Sequence, residues 1–326
     1  MSTDAAPRTN SAPASPFPTD DPVLRLIGDT PLVSYPGTDR GRVLCKLETE
    51  NPTRSMKDRI AMGILSEALA EGEYDTVVEA SSGNTAGAVA FVANRLGADC
   101  KLACPDSTSR QKIGYMKAFG AEVHECPSDV ESGHPDHYRS VAQRLADEDD
   151  GAFLVDQYHN QSNPGVHYQW TGPEIWGQAG DRMTHLVGAM GTGGILSGSA
   201  RYVQEQAAAA GRDVTVIGVD AKQSNISTAF YGKEPVPYDT EVEGLGKGGD
   251  LPTMWFDYID EMRDVADERA FTQARTSAQE HGLLIGPSAG AALSVALDIS
   301  EEQPDATVVT IICDGGEQYF DTLFDV

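Results

Sequence analysis

The stretch DTVVEASSGNTAGAVAFVANRLG (residues 75–97) carries the fold in miniature. DTVVEA (75–80) has the β-branched composition of a strand, and SSGNT is a turn of small hydroxyl and amide residues. AGAVAFVANRLG (86–97) then shows helical apolar spacing and stops at a glycine. Outward from this unit the cycle repeats. KLAC (101–104), SRQKIGYMKAFG (109–120), AEVHEC (121–126), DHYRSVAQRLADE (136–148) and AFLVDQ (152–157) follow it. THLVGA (184–189), LSGSARYVQEQAAAA (196–210), VTVIGVD (214–220), AFTQARTSAQEHG (270–282), AGAALSVALDI (289–299) and TVVTIIC (307–313) resume it. Alternating strands and helices predict an α/β protein with mostly parallel, twisted sheets flanked by helices. A chain of 326 residues suits two such domains.

Composition narrows the function. Fifty acidic residues stand against 24 basic ones, a net charge of −26. That surface repels nucleic acid and anionic membranes, which require basic residues to neutralise phosphate. Acid clusters such as ADEDD (146–150) read as solvated faces, and a halophilic, salt-screened protein is the expectation. The N-terminus lacks a basic segment followed by an apolar one, and no long apolar run follows, so a cytoplasmic location is expected. Residues 1–20, rich in Ser, Pro and Ala, read as a disordered tail. The five cysteines are scattered through apolar runs without a second ligand pair, which speaks for buried thiols and against a metal site.

Ligands in such folds sit beyond the carboxyl ends of the strands, so the loops there hold the candidate chemistry. In NPTRSMKDRI (51–60), Lys57 opens a helix carrying Ile60, Ile64, Leu65, Ala68 and Leu69 on one face. The positive end of the helix dipole disfavours a cation there. Lys57 is either an ordinary loop lysine or an amine that forms an imine with a carbonyl compound. EASSGNTAG (79–87) is either a capped turn or a cradle of donors for a carboxylate. GAMGTGGILSG (188–198) follows a strand and opens a helix, so the backbone of Gly191, Thr192, Gly193 and Gly194 could close on a phosphate. A dinucleotide fingerprint is the poorer fit, because Leu196 stands where a glycine or alanine is wanted. In LLIGPSAGAAL (283–293), Ser288 is either an N-cap or a neutral hydroxyl for a ring nitrogen. An amine, a carboxylate cradle, a phosphate cup and a neutral hydroxyl are together the parts that pyridoxal phosphate requires.

With these loops in place, the chain resembles the β-family (fold type II) of pyridoxal-phosphate enzymes, in the cysteine synthase and cystathionine β-synthase group. The resemblance spans about residues 22–322 and rests on GDTPLV (28–33), KLETENPTRSMKDR (46–59), SSGNT (81–85), DQYHNQSNPGVHYQWTGPEIW (156–176), GTGG (191–194), EGLG (243–246) and DGGEQY (314–319). It implies that Lys57 forms the imine with pyridoxal 5′-phosphate and later moves the substrate α-proton. It also implies that Asn84 meets the cofactor ring hydroxyl, that Gly191–Gly194 bind its phosphate, and that Ser288 meets the pyridine nitrogen. Ser81, Ser82, Thr85 and Gln157 would then hold the substrate carboxylate. The activity implied is β-replacement: an activated serine, O-acetylserine or O-phosphoserine, loses its leaving group to an aminoacrylate, and sulfide adds to give L-cysteine.

Cystathionine β-synthase is the alternative reading, followed by a serine/threonine dehydratase and by a non-catalytic scaffold. An N-terminal α/β domain (46–157), with a mobile subdomain near 101–146, and a C-terminal domain (21–45 with 158–326) are expected. A homodimer and a serine acetyltransferase partner are further implications. Departures from the family pattern are Ala86, Ile195, Ala289 and Gln318. A phosphate leaving group would call for a nearby cation, with Arg54, Lys222 and Lys247 the candidates.

Overall fold

The computed structural model describes residues 15–38, 42–70, 72–222, 224–235, 240–246, 248–249 and 251–324. Its strands are β1 (Leu32–Ser34), β2 (Val43–Leu47), β3 (Thr76–Ala80), β4 (Asp99–Pro105), β5 (Glu122–Cys126), β6 (Ala152–Leu154), β7 (His185–Ala189), β8 (Thr215–Ala221), β9 (Glu261–Val265) and β10 (Val308–Ile312). The helices of the first half are α1 (Lys57–Leu69), α2 (Asn84–Leu96), α3 (Arg110–Ala118), α4 (Tyr138–Asp147) and α5 (Ser162–Val166). Then follow α6 (Gly172–Ala179), α7 (Gly194–Ala209), α8 (Asn225–Phe230), α9 (Asp267–His281), α10 (Pro287–Glu302) and α11 (Phe320–Leu323).

Two sheets result. The order β1-β2-β10-β7-β8-β9 forms one and β5-β4-β3-β6 the other. Every pairing is parallel except β1 with β2. The α/β expectation therefore holds: parallel strands buried on both faces are mainly apolar, and β2, β7 and β10 are buried along their whole length, with Lys46 on β2 the charged exception. One apolar core lies around the larger sheet, and a second, with a small satellite, lies around the four-stranded one. β2 carries the larger sheet to Leu47, just past the domain boundary read from the sequence. Packing also begins within the stretch read as tail: Phe17 tilts against the buried Trp170 with ring centroids 6.4 Å apart. Residues 1–14 lie outside the described residues.

α1 begins at Lys57, as its sequence periodicity requires. Behind it lies a closed set of buried charges. Lys46 donates to Glu174 at 2.6 Å, and Arg59 forks onto Glu174 at 2.8 Å and onto Glu48 at 2.7 Å, all four side chains fully buried. Opposite charges inside a protein survive only when paired and hydrogen-bonded in this way. The set ties β2, α1 and α6 together behind the lysine. Met56 N–H donates to the Cys313 carbonyl at 2.8 Å and adds a further tie, which fixes the start of α1 against the end of β10.

Candidate active site

The carboxyl ends of β3, β7 and β10 converge on a cavity of about 120 Å³ between the two sheets. Lys57, Ser81, Ser82, Asn84, Thr85, Gln157, Gly191, Thr192, Gly193 and Ser288 all line it, although they come from five separate segments. Gly194 does not; it opens α7 beneath the loop. Ser288 is the second residue of α10, whose N-cap is Gly286, so the N-cap reading of Ser288 is corrected. Pro287 occupies the first helical position, where its missing N–H costs nothing.

The glycine loop is shaped by close approach. A methyl group on Gly191 would run into the Gly244 carbonyl oxygen, and one on Gly194 into Asn163 Oδ1. Gly193 has φ +79°, a region costly for other residues. Asn163 steadies the loop from the far side: its Nδ2 donates to the Gln157 carbonyl at 2.7 Å and to Thr192 Oγ1 at 3.2 Å. Thr253 Oγ1 donates to the Thr192 carbonyl at 2.6 Å. Ser197, in the first turn of α7, is buried and accepts the Trp255 N–H at 3.0 Å. Asp220 has a structural task of its own. Its carboxylate accepts N–H groups from Ala221, Ser227 and Gly246, which holds the 243–246 loop against the site.

The SSGNT turn opens α2, so backbone N–H groups point into the cavity at the positive end of a helix. Thr85 Oγ1 donates to Gln157 Oε1 at 2.7 Å. Asn84 Nδ2 donates to Asp314 Oδ2 at 2.7 Å, and Tyr319 OH donates to the same oxygen at 2.6 Å. Burial pushes the Asp314 carboxyl up to about 6, against the pull of Tyr319, Asn84 and Lys57. Asn84 Oδ1, Asp314 Oδ1 and Asn163 Oδ1 are buried without a partner. Two of them, on Asn84 and Asp314, belong to residues that line the cavity, as a site built for a ligand that brings donors requires.

Asp314, Tyr319, Asn163 and the Glu243–Gly244 loop were not assigned roles from the sequence. DGGEQY and EGLG were visible as motifs, but neither reveals its partner, because Asn84 and Asp314 are joined only by the fold. Of the cations considered for a leaving group, Arg54 lines an adjoining cavity of about 220 Å³, ion-paired with Glu50 and Glu317. Lys222 lines neither cavity, and Lys247 lies outside the described residues. Among the described residues no cluster of three His, Cys, Asp or Glu is placed to hold a metal, the five cysteines are buried and unpaired, and no helix is long and apolar enough to cross a membrane.

The family model described as pyridoxal-phosphate dependent enzyme matches residues 23–314. The chain is 37% identical to cysteine synthase B of Escherichia coli strain K12 over 305 residues, covering 91% of this chain and 94% of that protein. It is 32% identical to cystathionine beta-synthase of Apis mellifera, covering 93% of this chain and 60% of that protein. Among solved structures, the cysteine synthase of Entamoeba histolytica superposes with a TM-score of 0.83 at 26% identity, covering 100% of this chain and 94% of the other.

Proposed function

Because the chain belongs to the family of pyridoxal-phosphate-dependent enzymes, we propose that it makes L-cysteine by β-replacement, with O-acetylserine as donor and sulfide as nucleophile. The observation that carries this reading is the convergence of Lys57, the SSGNT turn, Gln157, the glycine loop and Ser288 on one cavity. These residues fit the cofactor. The orphaned Asn84 Oδ1 suits a ring hydroxyl, and the glycine cup at the start of α7 suits a phosphate. Ser288 offers a neutral hydroxyl to the pyridine nitrogen. When bound, pyridoxal phosphate supplies an electron sink for the carbanion at the substrate α-carbon.

The chain's own residues do the rest. Lys57 would hold the cofactor and would serve as the general base that takes the proton from the substrate α-carbon. Ser81, Ser82, Thr85 and Gln157 surround the substrate carboxylate with donors and fix its orientation. A hydroxyl at the ring nitrogen, in place of a carboxylate, leaves the ring less electron-withdrawing and favours loss of a β-leaving group. The donor follows from charge. Lys57 is the one Lys or Arg among the described lining residues, and Glu243 and Asp314 are the acids beside it. Among the described residues a phosphate leaving group would meet no further lining cation, whereas acetate needs none.

Three further parts belong to the same proposal: a homodimer, a serine acetyltransferase partner bound through the cleft, and closure by the segment near 101–146. Tyr138 of that segment lines the cavity, and its Lys112 pairs with Glu243 at 2.9 Å across the mouth, which supports closure. Light scattering reads the assembly. The activity is tested by adding O-acetylserine, then O-phosphoserine, to the holoenzyme, followed by sulfide, while the visible cofactor band and cysteine are recorded. The expected result is a band shift with O-acetylserine that sulfide reverses as cysteine appears, with Lys57→Ala showing no such band. A holoenzyme whose band neither donor moves sinks the reading. A shift with O-phosphoserine alone overturns the choice of donor. The adjoining cavity supports a second reading, in which homocysteine is the nucleophile and cystathionine the product; the same assay run with homocysteine in place of sulfide decides it.

A further inference from the structure

Glu79 is a buried acid that none of these roles uses. It is the penultimate residue of β3, one residue before the Ala80–Ser81 edge of the carboxylate cradle, and is 1% exposed. Its carboxyl is met by the backbone N–H groups of Asp156 and Gln157 and by the Gln157 side-chain amide, while Oε2 has no partner. The turn it supports is strained: Asp156 has φ +46°, a left-handed value uncommon for a residue other than glycine, and Gln157 follows directly. From the other side, Thr85 Oγ1 donates to Gln157 Oε1 at 2.7 Å and Asn163 Nδ2 to the Gln157 carbonyl at 2.7 Å.

We propose that Glu79 is a positioning residue, which holds the Asp156–Gln157 turn from beneath and thereby aims the Gln157 amide at the substrate carboxylate. This rests on the reading of the cavity as an amino-acid site. An amide has two N–H groups, so one engaged by Glu79 leaves the second for the ligand. The arrangement works only while Glu79 is uncharged, because an anion behind a cradle for an anion opposes binding. Burial, and then the neighbouring Asp156, push its carboxyl up to about 8. The other groups facing it are Cys100 on β4 and Tyr158, which Arg139 stacks on at 4.8 Å, while His159 pairs with Asp156 at 2.9 Å. Burial pushes the Cys100 and Tyr158 groups up to about 12, above the range in which Glu79 titrates.

The test uses holoenzyme and L-serine, which lacks a good leaving group, titrated by the cofactor band from pH 7 to pH 9. The amine of the ligand titrates identically with every variant, so the comparison isolates the protein. Wild type is expected to lose up to about tenfold more affinity over this range than Glu79→Gln, whose side chain stays neutral. Glu79→Asp, one methylene too short to reach the turn, is expected to raise KM for the donor at every pH with a smaller effect on kcat and an unchanged cofactor band. Superimposable profiles for wild type and Glu79→Gln overturn the proposal. So does a Glu79→Asp enzyme that keeps wild-type KM. A wild type whose band ignores all amino acids instead refutes the amino-acid site itself, so the two failures remain distinct.

Discussion

Replacing Glu174 by Gln tests the buried charge set behind Lys57. Four interactions end on this carboxylate: Asp29 N at 2.9 Å and Arg59 Nη1 at 2.8 Å on Oε1, Lys46 Nζ at 2.6 Å and Arg59 Nη2 at 2.8 Å on Oε2. With Glu48 the set balances two cations against two anions, and none of the four side chains touches solvent. Glutamine keeps the shape but leaves two cations facing one anion, and its own NH₂ must point at donors. Breaking a buried pair in this way costs roughly 3–5 kcal/mol, because the remaining charge stays desolvated. In thermal unfolding of a chain this long that corresponds to a fall of roughly 4–7 °C. Burial alone would raise the Glu174 and Glu48 carboxyls; Arg59 and then Lys46 outweigh it, and both are held below the usual range.

Their contribution is thus present above the ordinary carboxylate pKa and lost as pH falls through the depressed one. The variant should lack the Glu174 share of that acid limb and keep the Glu48 share. Adding Lys46→Met to Glu174→Gln restores the balance with the Arg59–Glu48 pair, and about 1–3 kcal/mol should return as coupling. Denaturant titration of the four proteins supplies the cycle. A single variant within about 1 kcal/mol of wild type, or strictly additive losses, would refute the account.

Other expectations are quicker to check. Gly194→Ala, whose methyl runs into the buried Asn163 Oδ1, should purify with native circular dichroism but without the visible cofactor band. Asp58 accepts the Thr53 N–H and hydroxyl and is pushed up to about 7, chiefly by burial. The native state therefore keeps a proton that the unfolded chain has lost, so stability should fall as pH rises from about 4 to 7, by up to about 4 kcal/mol, and Asp58→Asn should flatten that slope. With a net charge of −26, the melting temperature should climb as KCl screens self-repulsion; a flat or falling curve would remove the halophilic reading.

The sequence was legible wherever a segment's chemistry was local. β3, the SSGNT turn and α2 declare themselves within 75–97, and α2 ends on Gly97 at φ +78° as read. β1 and β2 were not read. β1 is short and half exposed, and β2 carries Lys46 in the middle of an otherwise apolar run, which breaks a strand pattern. β9, EMRDV, alternates charge at the edge of its sheet and so resembles a loop. Lys46 is apolar in effect only because Glu174, 128 positions away, neutralises it. No window of sequence contains that fact.

The same distinction divides the site. Lys57, the glycine loop and Ser288 each carry a local signature: a cation at a helix start, glycines after a strand, a hydroxyl near a proline-led helix. Asn163, Glu79 and Asp314 carry none, because each matters through what it faces across the fold. Glu174 lies between the two classes. It sits in TGPEIW, one of the motifs that carried the resemblance, yet its carboxylate is turned to Lys46 and Arg59 and takes no part in lining the cavity. A motif can therefore mark a family through the charge it buries, and here that charge holds α1, and with it Lys57, against β2 and α6. Lys57→Ala and Glu174→Gln should fail differently for this reason: the first stays folded and loses the cofactor, the second loses stability before it loses chemistry.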